Sequence, residues 1–129
     1  MKENYIHTEE FQVRDTELSA SGIVNNASYL VYLEHARHNY LRNLKKAYTE
    51  FLEKGITLIV VECNLKFKAP LKSGDRFWVG LNWEQKTRLK HKILQDVYHS
   101  DGTLILEATF IASAIDKNGK PVPVKLMDE

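Results

Sequence analysis

Weak alternation over Tyr5 to Arg14, with Phe11 and Val13 on one face, predicts a first strand. The turn-rich stretch "DTELSASG" follows as a loop. Apolar spacing then changes to that of a helix from about Asn26. Either Asn25 or Asn26 can cap it by accepting from an early helical N–H. The helical stripe is Leu30, Leu33, Arg37, Tyr40, Leu41 and Leu44, widened by Ala27, Val31 and Ala36. "KKAYTEFLEKG" predicts a second, shorter helix that Gly55 ends. After Gly55 the chain reads as strands. "ITLIVVECNLKFKAP" alternates Val61, Cys63, Leu65 and Phe67 and stops at Pro70, and "LKSGD" is a turn. "RFWVGLNWEQ" alternates Phe77, Val79, Leu81 and Trp83. "TRLKHKILQDVYH" has mixed faces, and "SDGT" is a hairpin turn. "LILEATFIASAID" is apolar on both faces, as a central strand is. "KNGKP" turns again into a short polar tail.

The order is strand, long helix, short helix, then four strands in antiparallel succession. This is an α+β class, and its simplest form is one long helix lying on a curved five-stranded antiparallel sheet. Its 129 residues suit a single domain, 1–129. One helix covers only one side of such a sheet, so self-association as a homodimer or homotetramer is expected.

Composition narrows the function classes. Hydrophobic residues make up 43%, enough for a core. Lys and Arg number 18 against 17 Asp and Glu, so net charge argues for neither a nucleic acid nor a membrane partner. Cys63 is the single cysteine, which excludes an intrachain disulfide and reads as a small core or sheet residue. "MKENYIHTEEF" has no apolar leader core, and no run nears the length of a bilayer span; the expectation is cytoplasmic.

Candidate chemistry sits where the loop meets the long helix. A helix start presents free N–H groups and a positive dipole end, suited to a developing oxyanion. The nearby carboxylates are Asp15 and Glu17, with Glu34 two turns into the helix. Asp15 reads as a loop or strand-end charge, and Glu17 as either a solvated acid or a base. Glu34 reads as a partner for Arg37 or His38, or as a base. His35 and His38 are spaced three apart and have no further ligand nearby, so no metal and no cofactor are expected. Lys86, Arg88, Lys90 and Lys92 share one face if the strand runs through them, giving either a solvated edge or a phosphate cradle. Trp78 and Trp83 lie on opposite faces, one in the core and one at an interface or tunnel wall.

"VRDTELSASGIVNNASYLVYLEHAR", "KFKAPLKSGDRF" and "GTLILEATFIASAIDKNGKPVPV" resemble, in order, the segments of hotdog-fold acyl thioesterases of the 4-hydroxybenzoyl-CoA thioesterase type. The plant acyl-lipid thioesterases and their bacterial relatives are the most similar branch. The resemblance implies hydrolysis of an acyl-CoA or acyl-carrier-protein thioester at a site shared between subunits. It implies oxyanion stabilisation by the Asn26 N–H, with Gly22, Val24 and Asn25 beside the substrate, and basic residues on the carrier at no fixed positions, for which Arg88 and Lys90 are the candidates here. That family has an Asp three residues before the glycine equivalent to Gly22; here that position is Ser19. A hydroxyl is a poor base without a partner, and losing a base typically costs ~10²–10⁴ in rate. Glu17 or Glu34 must then replace the Asp, or the protein binds acyl thioesters without turnover.

Overall fold

A computed structural model describes residues 1–126. It contains a five-stranded antiparallel sheet of β1 (His7–Gln12), β2 (Thr57–Phe67), β3 (Arg76–Gln85), β4 (Lys90–His99) and β5 (Leu104–Ile115). Two helices, α1 (Asn26–Asn43) and α2 (Lys45–Lys54), lie between β1 and β2 in sequence. The strand order is β1-β3-β4-β5-β2. Successive hairpins therefore join β3, β4 and β5, as expected, but β2 does not pair with β3. It forms the far edge beside β5. Residues 68–75 carry the chain from that edge back to β3. On the way they pass the entry to α1, where the Val24 N–H donates to the Leu71 carbonyl at 2.9 Å. Non-local pairing of this kind leaves no mark in hydrophobic periodicity.

Helix α1 begins where the sequence placed it. Asn25 is the cap, and its side chain accepts from the Ser28 N–H at 2.9 Å. Gly55 ends α2 in the left-handed region at φ 65°, which a residue without a Cβ adopts readily. The buried face of α1 differs from the expected stripe. It is Tyr29, Tyr32, Leu33, Ala36 and Tyr40, whereas Leu30 and Val31 are exposed. Tyrosine has an apolar body and a polar tip, so a hydropathy pattern undervalues it. These side chains pack on Phe77, Val79, Leu81, Ile93, Val97 and Phe110 of the sheet. A smaller cluster joins Ala47 and Phe51 of α2 to Ala114, Val124 and Leu126. The tail read as polar thus buries two side chains; its last three residues lie outside the described ones.

The opposite face of the sheet is partly covered by the N-terminal segment. Tyr5 lies over Gly80, packs edge-on against Trp78, and donates from its hydroxyl to Asp96 at 2.6 Å. Burial pushes the Asp96 carboxyl upward, against the lowering effect of that bond. A Cβ on Gly80 would stand 2.6 Å from the Tyr5 ring. Gly80→Ala is therefore expected to displace the segment and destabilise the fold by about 1–3 kcal/mol in chemical denaturation. Adding Tyr5→Ala to Gly80→Ala should remove that clash, leaving a combined loss smaller than the sum of the two single effects.

Candidate active site

The loop preceding α1 is built around Glu17. Its Oε1 accepts from the Arg14 N–H at 2.8 Å and the Tyr32 hydroxyl at 2.7 Å. Its Oε2 accepts from Arg14 Nε and Nη2 at 3.1 and 2.9 Å. The Glu17 carbonyl also accepts from the Asn25 N–H and side-chain amide. Burial by itself raises the Glu17 pKa, but the bonds from the Arg14 amide, the Tyr32 hydroxyl and the Arg14 guanidinium outweigh it. The pKa ends below the ordinary carboxylate value. With four donors on its two oxygens and a depressed pKa, this carboxylate is a clamp joining loop to helix and is poorly placed to take a proton from water.

Ser19 stands further along the loop, its Oγ 3.0 Å from Ser21 Oγ on the exposed side. No histidine or carboxylate bonds to it among the described residues. Asp15 accepts from Ser73 Oγ at 2.7 Å. Gly22 takes a positive φ of 82° in the exposed turn. Val24, expected beside substrate, is in the core with its N–H bonded to Leu71, so neither group is open to a ligand. Asn25 is committed to capping. Asn26 and Ala27 occupy the first two helical positions, where no intrahelical acceptor exists for their N–H groups.

From this helix start a second, uncovered face of α1 runs through Leu30, Val31, Glu34, Arg37, His38 and Leu41. At about 100° per residue, Ala27, Glu34 and Leu41 fall almost directly above one another. This face and the inner side of β2 bound a cleft of ≈ 540 Å³. Leu58, Val60 and Cys63 form the β2 wall, and Ile93, Phe110 and Ala112 belong to the floor. Trp83 also lines the cleft, while Trp78 is buried under Tyr5 on the other face. Glu34 is the only carboxylate among the described residues lining the cleft. Cys63, read as a small core or sheet residue, is in the sheet and is exposed because β2 is an edge strand.

Arg37 carried no functional signal in the sequence. It makes no ion pair with Glu34 among the described residues, contrary to the helical spacing. Its guanidinium donates instead to Gln95 Oε1 at 2.9 Å and lies 4.3 Å above the Phe110 ring. Gln95, fully buried, passes its own amide to the Leu33 carbonyl at 2.9 Å.

The basic run is arranged differently from expectation. Residues 86–89 form the β3–β4 turn, so Arg88 does not share the strand face of Lys90 and Lys92. That turn is at the end of the sheet where β2 begins, since Lys90 pairs with Ser113 and Ser113 with Ile59. The start of α1 lies near the other end of β2, where Tyr29 packs against Phe67. No group of three or more potential metal ligands occurs among the described residues, and His35 and His38 remain on the helix surface.

A long helix on a five-stranded antiparallel sheet is the hotdog arrangement. The chain belongs to the thioesterase-like superfamily, which it matches over residues 13–127. It is 34% identical over 125 residues to the chloroplastic acyl-acyl carrier protein thioesterase ATL3 of Arabidopsis thaliana, covering 92% of this chain and 63% of that protein. The chain thus spans less than two thirds of that plant relative. It is also 30% identical over 119 residues to YneP of Bacillus subtilis, named as a candidate acyl-CoA thioesterase, covering 92% of this chain and 86% of YneP. The crystal structure of Slr0204, a 1,4-dihydroxy-2-naphthoyl-CoA thioesterase from Synechocystis, superposes with a TM-score of 0.82 at 21% identity, covering 92% and 89% of the two chains. That likeness is one of fold.

Proposed function

We propose that the protein hydrolyses acyl thioesters of coenzyme A or acyl carrier protein, with Glu34 as general base. The observation that carries this reading is Glu34 itself: a carboxylate facing the cleft, on the same helix face as the free amides, while Glu17 is fully engaged. Glu34 stands eight positions along the helix from Asn26, roughly 12 Å along the axis, and its side chain leans back toward the helix start. The remaining gap suits a thioester carbon and one water. Glu34 takes a proton from the water as its oxygen bonds to the carbonyl carbon. The Asn26 and Ala27 N–H groups hold the resulting oxyanion. The tetrahedral centre then expels the thiolate, which receives the proton from Glu34, leaving a carboxylate and a thiol.

A second copy completes the site in this reading. β2 is an eleven-residue edge strand, and Ile59, Val60 and Val61 on it are 38%, 43% and 48% exposed. Long apolar edges pair with another chain. A two-fold axis perpendicular to the sheet would pair the two β2 strands antiparallel and keep both helices on one side. It would also bring Arg88 and Lys90 of one copy toward the α1 start of the other, where they can hold the carrier's phosphate. Val60→Lys is expected to shift the protein from dimer or larger toward monomer by light scattering. A parent that is already monomeric at micromolar concentration removes the shared site.

The deciding experiment is thiol release across an acyl-CoA panel by the parent and by Ser19→Asp. The parent should be slow but active, and Ser19→Asp faster by ~10-fold or more, since a second positioned base recovers part of a ~10²–10⁴ effect. The second reading, acyl-thioester binding without turnover, draws on Ser19 standing where the resembled family has its Asp. Absence of release by the parent across the panel selects it.

A further inference from the structure

We propose that the cleft is built for acyl groups that end in a carboxylate, with Arg37 as the anchor for that distal charge. The inference rests on the thioesterase reading for the position of the reacting carbonyl, but its evidence lies elsewhere in the cleft.

Arg37 is a half-buried cation lining the cleft. Burial pushes its pKa down, against the raising influence of Glu34 and Cys63. A guanidinium has five N–H donors, yet the described contacts use one, to a neutral amide oxygen. The remaining attraction comes from the face of Phe110. No carboxylate comes within ion-pair distance of Arg37 among the described residues. A partly desolvated cation without a counter-ion is costly unless something else pairs with it. The planar fork of a guanidinium matches a carboxylate with two parallel bonds.

The supports around Arg37 fix its place. Gln95 is tied at one end to the Leu33 carbonyl and at the other to the guanidinium. The charged group is therefore held near the level of that carbonyl, roughly 12 Å along α1 from the helix start. Allowing contact distance at both ends, this leaves room for a spacer of about four methylenes between thioester carbonyl and carboxylate. Apolar Leu30, Val31 and Val60 line the cleft alongside such a spacer. Glu34 would face the reacting end and Arg37 the distal end, so the two charges sort the two ends of the acyl group.

The test uses non-hydrolysable thioethers, so that binding is read apart from turnover. S-hexyl-CoA and S-(5-carboxypentyl)-CoA are titrated calorimetrically into the full chain. The carboxylated thioether is expected to bind ~10-fold tighter or more, a preference that shrinks in high salt. Arg37→Met should erase the preference, and Arg37→Lys should retain part of it. Equal or weaker binding of the carboxylated compound to the parent overturns the proposal, as does binding of neither compound or a preference that survives Arg37→Met. If Arg37→Met fails to fold, the comparison in the parent decides. Turnover of hexanoyl-CoA and of 5-carboxypentanoyl-CoA is measured alongside. Absence of both removes the thioesterase reading, while turnover without a carboxylate preference in binding removes only the anchor.

Discussion

Replacing Glu34 by Gln should lower thioester turnover by ~10²–10⁴-fold, the range for loss of a positioned general base. The amide keeps the size and polarity of the side chain, and Glu34 is exposed and makes no ion pair among the described residues, so stability should hardly change. The Michaelis constant should also move little, because the base acts on water in the transition state and does not hold the substrate. The oxyanion amides remain in Glu34→Gln, so activity should fall to a floor above the uncatalysed rate. The measurement is steady-state thiol release with a folded-state check by circular dichroism. A Gln variant with unchanged turnover would exclude Glu34 as the base and leave Glu17 as the remaining candidate.

Glu17→Ala should cost about 3 kcal/mol of folding stability, the second large effect. The change leaves the buried Tyr32 hydroxyl without its acceptor and frees the Arg14 amide that closes the loop. Tyr32→Phe should cost less, since it removes a donor and leaves Glu17 with its Arg14 bonds. The pH dependence follows from the depressed Glu17 pKa. Above the ordinary carboxylate value of 4.5 the group is charged in both folded and unfolded chains, and its full contribution is present. As pH falls toward and through the lower folded value, the unfolded chain takes up the proton first and that contribution is lost. Glu17→Gln should therefore be less stable at neutral pH and show a shallower acid limb, read as midpoint against pH in urea. Activity lost by Glu17→Ala should follow the fraction unfolded if the residue is a clamp.

Much of the fold was legible because its signals are local. Asn25 caps α1 through a contact three residues away, and Gly55 ends α2 through its own backbone angle. "SDGT" likewise closes the β4–β5 hairpin within four residues. What escaped was non-local. The position of β2 depends on pairings as distant as Thr57 with Ile115 and Phe67 with Leu106, which no alternation reports. Tyr32 is fifteen residues from Glu17, so the clamp exists only once the loop folds against the helix. Arg37 lay in an apolar stripe with a helical-spacing Glu beside it, and its true partner Gln95 is 58 residues away. Of the two carboxylates that sequence alone left as candidates, Glu17 is bonded to Arg14 and Tyr32, and Glu34 lines the cleft.

The register of β2 against β5 shifts between Val60 and Glu62, and that irregularity has a further consequence. Leu58 and Val60 pair with Ala114 and Ala112, while Cys63, Leu65 and Phe67 pair with Phe110, Ala108 and Leu106. Inward residues are thus even-numbered before Val61 and odd-numbered after it. Val61 works as a one-residue frame change that lets two half-strands of opposite parity share one wall. Deleting it would leave Leu58, Val60, Cys63, Leu65 and Phe67 on one face of a regular strand, so both halves would keep their sides and only the local irregularity would be lost. A deletion further along, at Asn64, would instead bring Glu62 inward or turn Leu65 and Phe67 outward. Among relatives, a strand one residue shorter at Val61 could keep the same apolar and polar positions along both halves of β2.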